Sequence, residues 1–125
     1  MAKLSSFEEI ISWQKARELN ALIYTITNLD NKFSKDFGLR DQIRKSSISI
    51  SSNIAEGFER ETTKEFIRFL YIAKASAGEF RSQSYLAFDL NYISTEEFEN
   101  ITLKINEISK LLGGFIKYLK STLNL

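Results

Sequence analysis

Not one proline interrupts these 125 residues, where an average chain of this length carries about six. Proline kinks or ends a helix, so its absence points to long helices without interior breaks. Apolar residues recur at helical spacing through four stretches, about residues 7–29, 35–58, 62–90 and 94–122, and strand alternation is sustained nowhere. The expected fold is all-α, an antiparallel up-and-down four-helix bundle forming one domain over residues 1–125, because the breaks between stretches are short. A compact fold of this size buries roughly two thirds of the surface its unfolded chain exposes, so one core suffices without a staple.

Start and stop signals set the segments. In the first, Trp13, Ala16, Leu19, Ile23 and Ile26 share one stripe, and Ser6 with Glu9 is a candidate capping box, with Ser12 as the cap of a later start. A polar loop, Asp30 to Ser34, follows. The second places Leu39, Ile43, Ile50 and Ile54 on one side, with Gly57 where a left-handed residue is expected. Thr62 with Glu65 opens the third. The fourth carries the clearest signal: Ser94 and Glu97 precede Phe98, Ile101, Ile105, Ile108, Leu112, Phe115 and Leu119, spacings that alternate three and four. Its acids Glu96, Glu97 and Glu99 lie early and Lys110, Lys117 and Lys120 late, which suits the helix dipole.

The chain has no His and no Cys. Imidazole or thiolate zinc sites, Ser-His and Cys-His nucleophile pairs, haem ligation by His and disulfides are therefore excluded. A di-metal bundle site needs Glu-x-x-His pairs, which are also missing. No metal and no cofactor is expected. With 17 Lys and Arg against 16 Asp and Glu the net charge is +1, so any attraction to nucleic acid must come from a local patch. Met1 to Phe7 lacks the apolar stretch of a signal peptide and no run approaches a membrane span, which leads to the expectation of a cytoplasmic chain with no membrane partner.

The third stretch carries surplus apolar surface. Ile67, Tyr71, Ile72, Tyr85 and Leu86 cannot all share the stripe of Phe66, Phe69, Ala73, Phe80 and Phe88. In the second stretch Ile48 lies about half a turn from Leu39, among Ser52 and Ala55. A homo-oligomer using Ile48, Ser52, Ala55, Ile67 and Tyr71 as its interface is expected; the alternative is that the extra side chains pack within one subunit.

The run Ser46 to Asn53 is poor in helix formers, so tertiary contacts must compensate. On a helical wheel Arg40, Arg44, Ser47 and Ser51 share one side, a workable phosphate surface, or else a solvated face with small residues at a subunit contact. Arg60, Lys64 and Arg68 form a second ladder, flanked by Glu61 and Glu65, so helix-surface ion pairs account for most of it. Glu56, Arg68, Glu79 and Gln83 border apolar stretches and suggest a buried network that fixes helix register rather than catalysis. Gly113-Gly114 points to close helix approach or a kink.

Trp13-Gln14-Lys15-Ala16, Phe37-Gly38-Leu39 with Asp41-Gln42-Ile43-Arg44, Ser52-Asn53-Ile54-Ala55-Glu56-Gly57, and Lys64-Glu65-Phe66 with Arg68-Phe69-Leu70 together resemble a bacterial family, the four-helix-bundle proteins named after the intervening sequences of 23S ribosomal RNA genes. The chain is also distantly similar to the accessory protein of diversity-generating retroelements, a pentameric barrel that engages nucleic acid and a reverse transcriptase. The resemblance implies a homopentamer without established enzymatic activity and transfers Arg40, Arg44 and Arg68 as positions of interest. The family usually has Pro where Ser51 stands and another in the loop before Phe37, where this chain has Ser34, so the second helix is expected to be straighter.

The function expected is a non-enzymatic homo-oligomer that contacts structured RNA or a ribonucleoprotein through phosphates. A protein-interaction scaffold is the alternative, and an enzyme using Glu56 or Glu79 a distant third.

Overall fold

The computed structural model describes residues 3–123. A single 3₁₀ turn, Phe7–Glu9, leads into α1 (Ile11–Thr27). A one-turn helix, α2 (Lys32–Lys35), precedes the three long helices α3 (Phe37–Phe58), α4 (Thr63–Asp89) and α5 (Thr95–Leu123), and no strand occurs among the described residues. Each long helix packs on the next, and α5 closes back on α1. The contacts run in opposite directions along each pair. Asn20 meets Ser51 while Thr27 meets Arg44, Gln83 meets Ser46 while Ser76 meets Ser49, and Phe66 meets Phe115 while Phe88 meets Phe98. This is an up-and-down four-helix bundle.

The core follows the apolar stripes. Ala16, Leu19, Ile23 and Ile26 of α1 meet Ile43, Ile50 and Ile54 of α3, Leu70, Ala73, Ala77 and Phe80 of α4, and Ile101, Ile105, Ile108 and Leu112 of α5 in one buried cluster. Burying each large side chain stabilises the fold by about 1.5–3 kcal/mol. Phe98, Phe115 and Leu119 flank the cluster, partly buried, and Ile116 joins it.

Several ends differ from the sequence reading. Neither proposed cap starts α1: Ser6 makes no capping bond, Ile10 occupies the N-cap, and Ser12 lies inside the first turn. Phe7 packs edge-on against Trp13, folding the entering chain into the 3₁₀ turn. The loop after α1 contains α2, whose Asn31 and Ser34 bond reciprocally as a capping box. Thr62 and Ser94 cap α4 and α5 as their sequences suggest, Thr62 Oγ1 accepting from Glu65 N–H and Ser94 Oγ from Glu97 N–H.

Gly57 is not left-handed; no glycine has positive φ. It sits in the last turn of α3 under α4, where a Cβ would lie 2.6 Å from Phe69 Cβ, so glycine is required for close approach. The left-handed residue is Asn91, with φ 60°. There Asn91 N–H donates to Phe88 O and Tyr92 N–H to Ala87 O, the paired bonds that close a helix through a left-handed residue. Helix α5 runs unbroken through Gly113 and Gly114, and only the Lys74 side chain approaches Gly113.

Candidate nucleic-acid interface

The serine run of α3 is used on both flanks. Toward α1, Ser47 Oγ donates to Asn20 Oδ1 at 2.7 Å, and Asn20 Nδ2 donates to Ser51 Oγ at 3.0 Å. Toward α4, Ser46 Oγ donates to Gln83 Oε1 at 2.7 Å, and Ser49 shares a 2.9 Å hydrogen bond with Ser76. Small side chains allow both neighbours close, and cross-helix hydrogen bonds offset the run's weak helix propensity. Ser47 and Ser51 are consequently buried, Ser47 fully, and do not belong to an exposed phosphate surface with Arg40 and Arg44. The wheel grouped them correctly; α1 covers that side of α3 from Ser47 onward.

The two arginines differ. Arg40 Nε donates to Asp41 Oδ1 at 3.0 Å, its Nη1 reaches Ser34 O at 3.3 Å, and its guanidinium lies over Phe37. Much of its charge is matched locally. Arg44 Nε donates to Thr27 Oγ1 at 2.8 Å, and its guanidinium lies 4.4 Å from the centre of the Tyr24 ring. Its terminal nitrogens make no hydrogen bond among the described residues. Tyr24, Arg44, Lys45 and Ile48 line a shallow depression with Asp41 and Ser49, about 460 Å³ in volume.

Arg60, Lys64 and Arg68 are exposed at the other end of the bundle, roughly 30 Å along α3 from Arg40 at 1.5 Å per residue. The expected ion pairs with Glu61 and Glu65 do not form; the ion pairs among the described residues are Lys15 with Glu18 and Glu107, Lys35 with Asp30, and Arg40 with Asp41. Instead Arg60 and Arg68 both pack against Phe69, at 4.7 and 5.2 Å from its ring centre. The structure thus forms two separate basic groups rather than one face. Glu56, Arg68 and Glu79 are exposed, and only Gln83 enters a partly buried network, donating to Gln42 as well as accepting from Ser46.

The apolar surplus divides in the same way. Ile67 is 7% exposed, sheltered within its own chain, and is not an interface residue. Helix α4 turns it toward the core beside Leu70. Ile48 (39%) and Tyr71 (46%) remain exposed, as do Ile72, Tyr85 and Leu86. Ser52 is exposed beside Ile48 on the outer side of α3, and Ala55 is half-buried. No helix of the described residues is long and apolar enough to cross a membrane.

A family model described as 23S rRNA-intervening sequence protein matches residues 8–114. The chain belongs to this family. No curated protein matches it. It is similar to a solved structure of a protein of unknown function from the S23 ribosomal protein family of Bacteroides thetaiotaomicron VPI-5482, with 31% identity and a TM-score of 0.80 over 86% of this chain and 99% of that one. In this member of the family α3 is one uninterrupted helix from Phe37 to Phe58, and Ser51 Oγ donates back to Ile48 O at 3.0 Å.

Two site features escaped the sequence reading. Asn20 links α1 to two serines of α3, but a single Asn on a mixed face carries no signal before its partners are known. Tyr24 was readable as an exposed aromatic, yet its role under Arg44 depends on how α1 and α3 cross.

Proposed function

We propose that the chain is a non-catalytic, cytoplasmic homo-oligomer, assembling as a pentamer, that binds structured RNA or a ribonucleoprotein through phosphate contacts centred on Arg44. The observation that carries this reading is the posture of Arg44, with Nε held by Thr27, the guanidinium over Tyr24, and its terminal nitrogens without protein partners among the described residues. A fork already oriented loses little freedom on docking and matches a phosphate in two-point geometry. Lys45 adds a second cation in the same depression. Membership in a family whose description refers to 23S rRNA agrees with an RNA partner. Repetition across subunits raises the affinity of a weak patch without new contacts, and the exposed Ile48, Tyr71, Ile72, Tyr85 and Leu86 favour a neighbour of the same kind.

Binding of a structured RNA hairpin, followed by anisotropy over increasing salt, tests the reading. The logarithm of the binding constant should fall linearly with log salt, and Arg44→Ala combined with Lys45→Ala should reduce the slope by roughly two if each cation meets one phosphate. Arg40→Ala should change it less, because Asp41 already neutralises that guanidinium. An unchanged slope in the double variant overturns the assignment. The exposed apolar face also favours a protein-interaction scaffold, for which RNA is not retained and a protein partner is held independently of salt.

A further inference from the structure

The depression around Arg44 holds more than a phosphate needs. A phosphate asks for cations and N–H donors, and Arg44 with Lys45 supplies them. Tyr24 and Ile48, both exposed, line the same depression and offer a phosphate nothing. Their chemistry matches a flat apolar surface instead. Arg44 and Ile48 stand one turn apart on α3, and Tyr24 reaches them from α1. The two helices thus bring an aromatic ring, a guanidinium plane and an aliphatic side chain to one place.

Buried groups fix this arrangement. Thr27, itself buried, donates through Oγ1 to Ile23 O at 2.7 Å, which leaves that oxygen's lone pairs for Arg44 Nε at 2.8 Å. The guanidinium is thereby held over the Tyr24 ring, 4.4 Å from its centre, with its terminal N–H groups left for an anion. Asp41 also lines the depression, but its carboxylate is paired with Arg40 at 3.0 Å. Arg44 and Lys45 therefore remain as the cations of the site.

We propose, resting on the RNA reading above, that the depression takes one unpaired nucleotide, its base stacked against Tyr24, Arg44 and Ile48 and its flanking phosphates on Arg44 and Lys45. Bases splayed out of loops and bulges stack on aromatic rings and arginine planes, whereas a base inside a stem presents its faces only to its neighbours. The partner is then a loop or bulge of a structured RNA and not its stem. Ile48 serves the base, and Tyr71, Ile72, Tyr85 and Leu86, all on α4, remain for a neighbouring subunit.

The test follows the full-length protein binding labelled RNAs by anisotropy: a fully paired duplex, the same duplex with one bulged adenosine, and that bulge made abasic, which keeps every phosphate and lacks only the base. The bulged RNA should bind at least roughly fivefold tighter than either control, the share of one stacked base. That ratio should hold as salt rises, because stacking releases no counterions, while every affinity falls. Tyr24→Ala, at an exposed position, should bring the ratio near one, and Tyr24→Phe should restore it. With 2-aminopurine in the bulge, saturating parent protein should change its fluorescence more than Tyr24→Ala does. Equal binding of all the RNAs, with the salt slope still set by Arg44 and Lys45, overturns the nucleotide site and leaves the phosphate reading standing. No binding of any RNA overturns both. A preference for the bulge that survives Tyr24→Ala overturns the proposal by placing the base elsewhere. So does an Ile48→Ser protein that sediments as a smaller species, since Ile48 then belongs to a subunit contact.

Discussion

Tyr92 Oη donates a 2.9 Å hydrogen bond to Asp36 Oδ2, joining residues 56 positions apart. The same carboxylate caps α3, because Asp36 Oδ1 accepts from Leu39 N–H at 3.1 Å. Tyr92 also stacks on the buried ring of Phe33 in α2, with centres 5.4 Å apart. One acid thus begins α3 and ties down the turn between α4 and α5, and the left-handed Asn91 is what aims the tyrosine at it. Asp36→Ala should cost about 2 kcal/mol in chemical denaturation, a cap and a hydrogen bond together, and Tyr92→Phe, which removes the hydrogen bond alone, should cost less. Equal losses in the two variants would show that the cap contributes nothing.

The same pair predicts a response to alkali. The hydrogen bond to Asp36, with burial and the carboxylate's charge adding to it, raises the Tyr92 pKa above its ordinary value of 10.0. The folded state therefore holds this proton more tightly than the unfolded state. The stabilisation is complete below about pH 10 and is lost as pH climbs through the higher folded value. Denaturation of the parent and of Tyr92→Phe from pH 8 upward should show a constant stability gap that closes above pH 10. A gap that closes well below pH 10 would contradict the bond.

Gly57 and Gly78 should respond in opposite directions to the same substitution. A Cβ on Gly57 would meet Phe69 Cβ at 2.6 Å and Phe66 O at 3.3 Å, one of them backbone, so Gly57→Ala must push α3 and α4 apart. A loss of about 1–3 kcal/mol or more is expected. Gly78, exposed in mid-α4, has nothing within 4 Å of a Cβ, and Gly78→Ala should raise stability by up to about 1 kcal/mol. Thermal melts of both variants check the contrast.

Asn20 is the joint between α1 and α3. Asn20→Ala leaves Ser47 Oγ, fully buried, without its acceptor, whereas Ser51 keeps its bond to Ile48 O. Its expected cost is about 1–3 kcal/mol. Adding Ser47→Ala should recover part of that loss, since the stranded hydroxyl is gone. A double-mutant cycle in urea with no coupling between the two sites would rule out this pairing.

How much of this was legible in the sequence depends on the range of the interaction. Helix positions came from local signals: Ile101, Ile105, Ile108 and Leu112 keep one face because a 3.6-residue repeat is a property of neighbours along the chain, and Thr62 and Ser94 cap within three residues. The wheel placed Ser47 and Ser51 beside Arg44 correctly and still misjudged them, because periodicity gives an angle and says nothing of which helix covers it. Ile67 failed for the converse reason. Its neighbours Phe66 and Phe69 defined the stripe too narrowly, and a long helix between two partners buries a wider arc. Gly57 was recognised as special, but close approach and a left-handed turn leave the same mark on a sequence, and only the position of Phe69 separates them.

Ile67 and Leu86 divide core from surface on one helix and so test the assembly itself. Ile67→Ala should cost about 2–5 kcal/mol, as for any buried isoleucine, and leave the subunit number unchanged. Leu86→Glu, paired with Ile72→Glu, alters exposed side chains and should leave the unfolding of an isolated subunit within about 0.5 kcal/mol of the parent. If a second copy covers this face, two buried carboxylates without partners break the contact, and sedimentation velocity should then report a smaller species. An unaltered sedimentation coefficient in the double variant would place the subunit contact elsewhere, and a large fall in subunit stability would mean that α4 buries a wider arc than its exposures indicate.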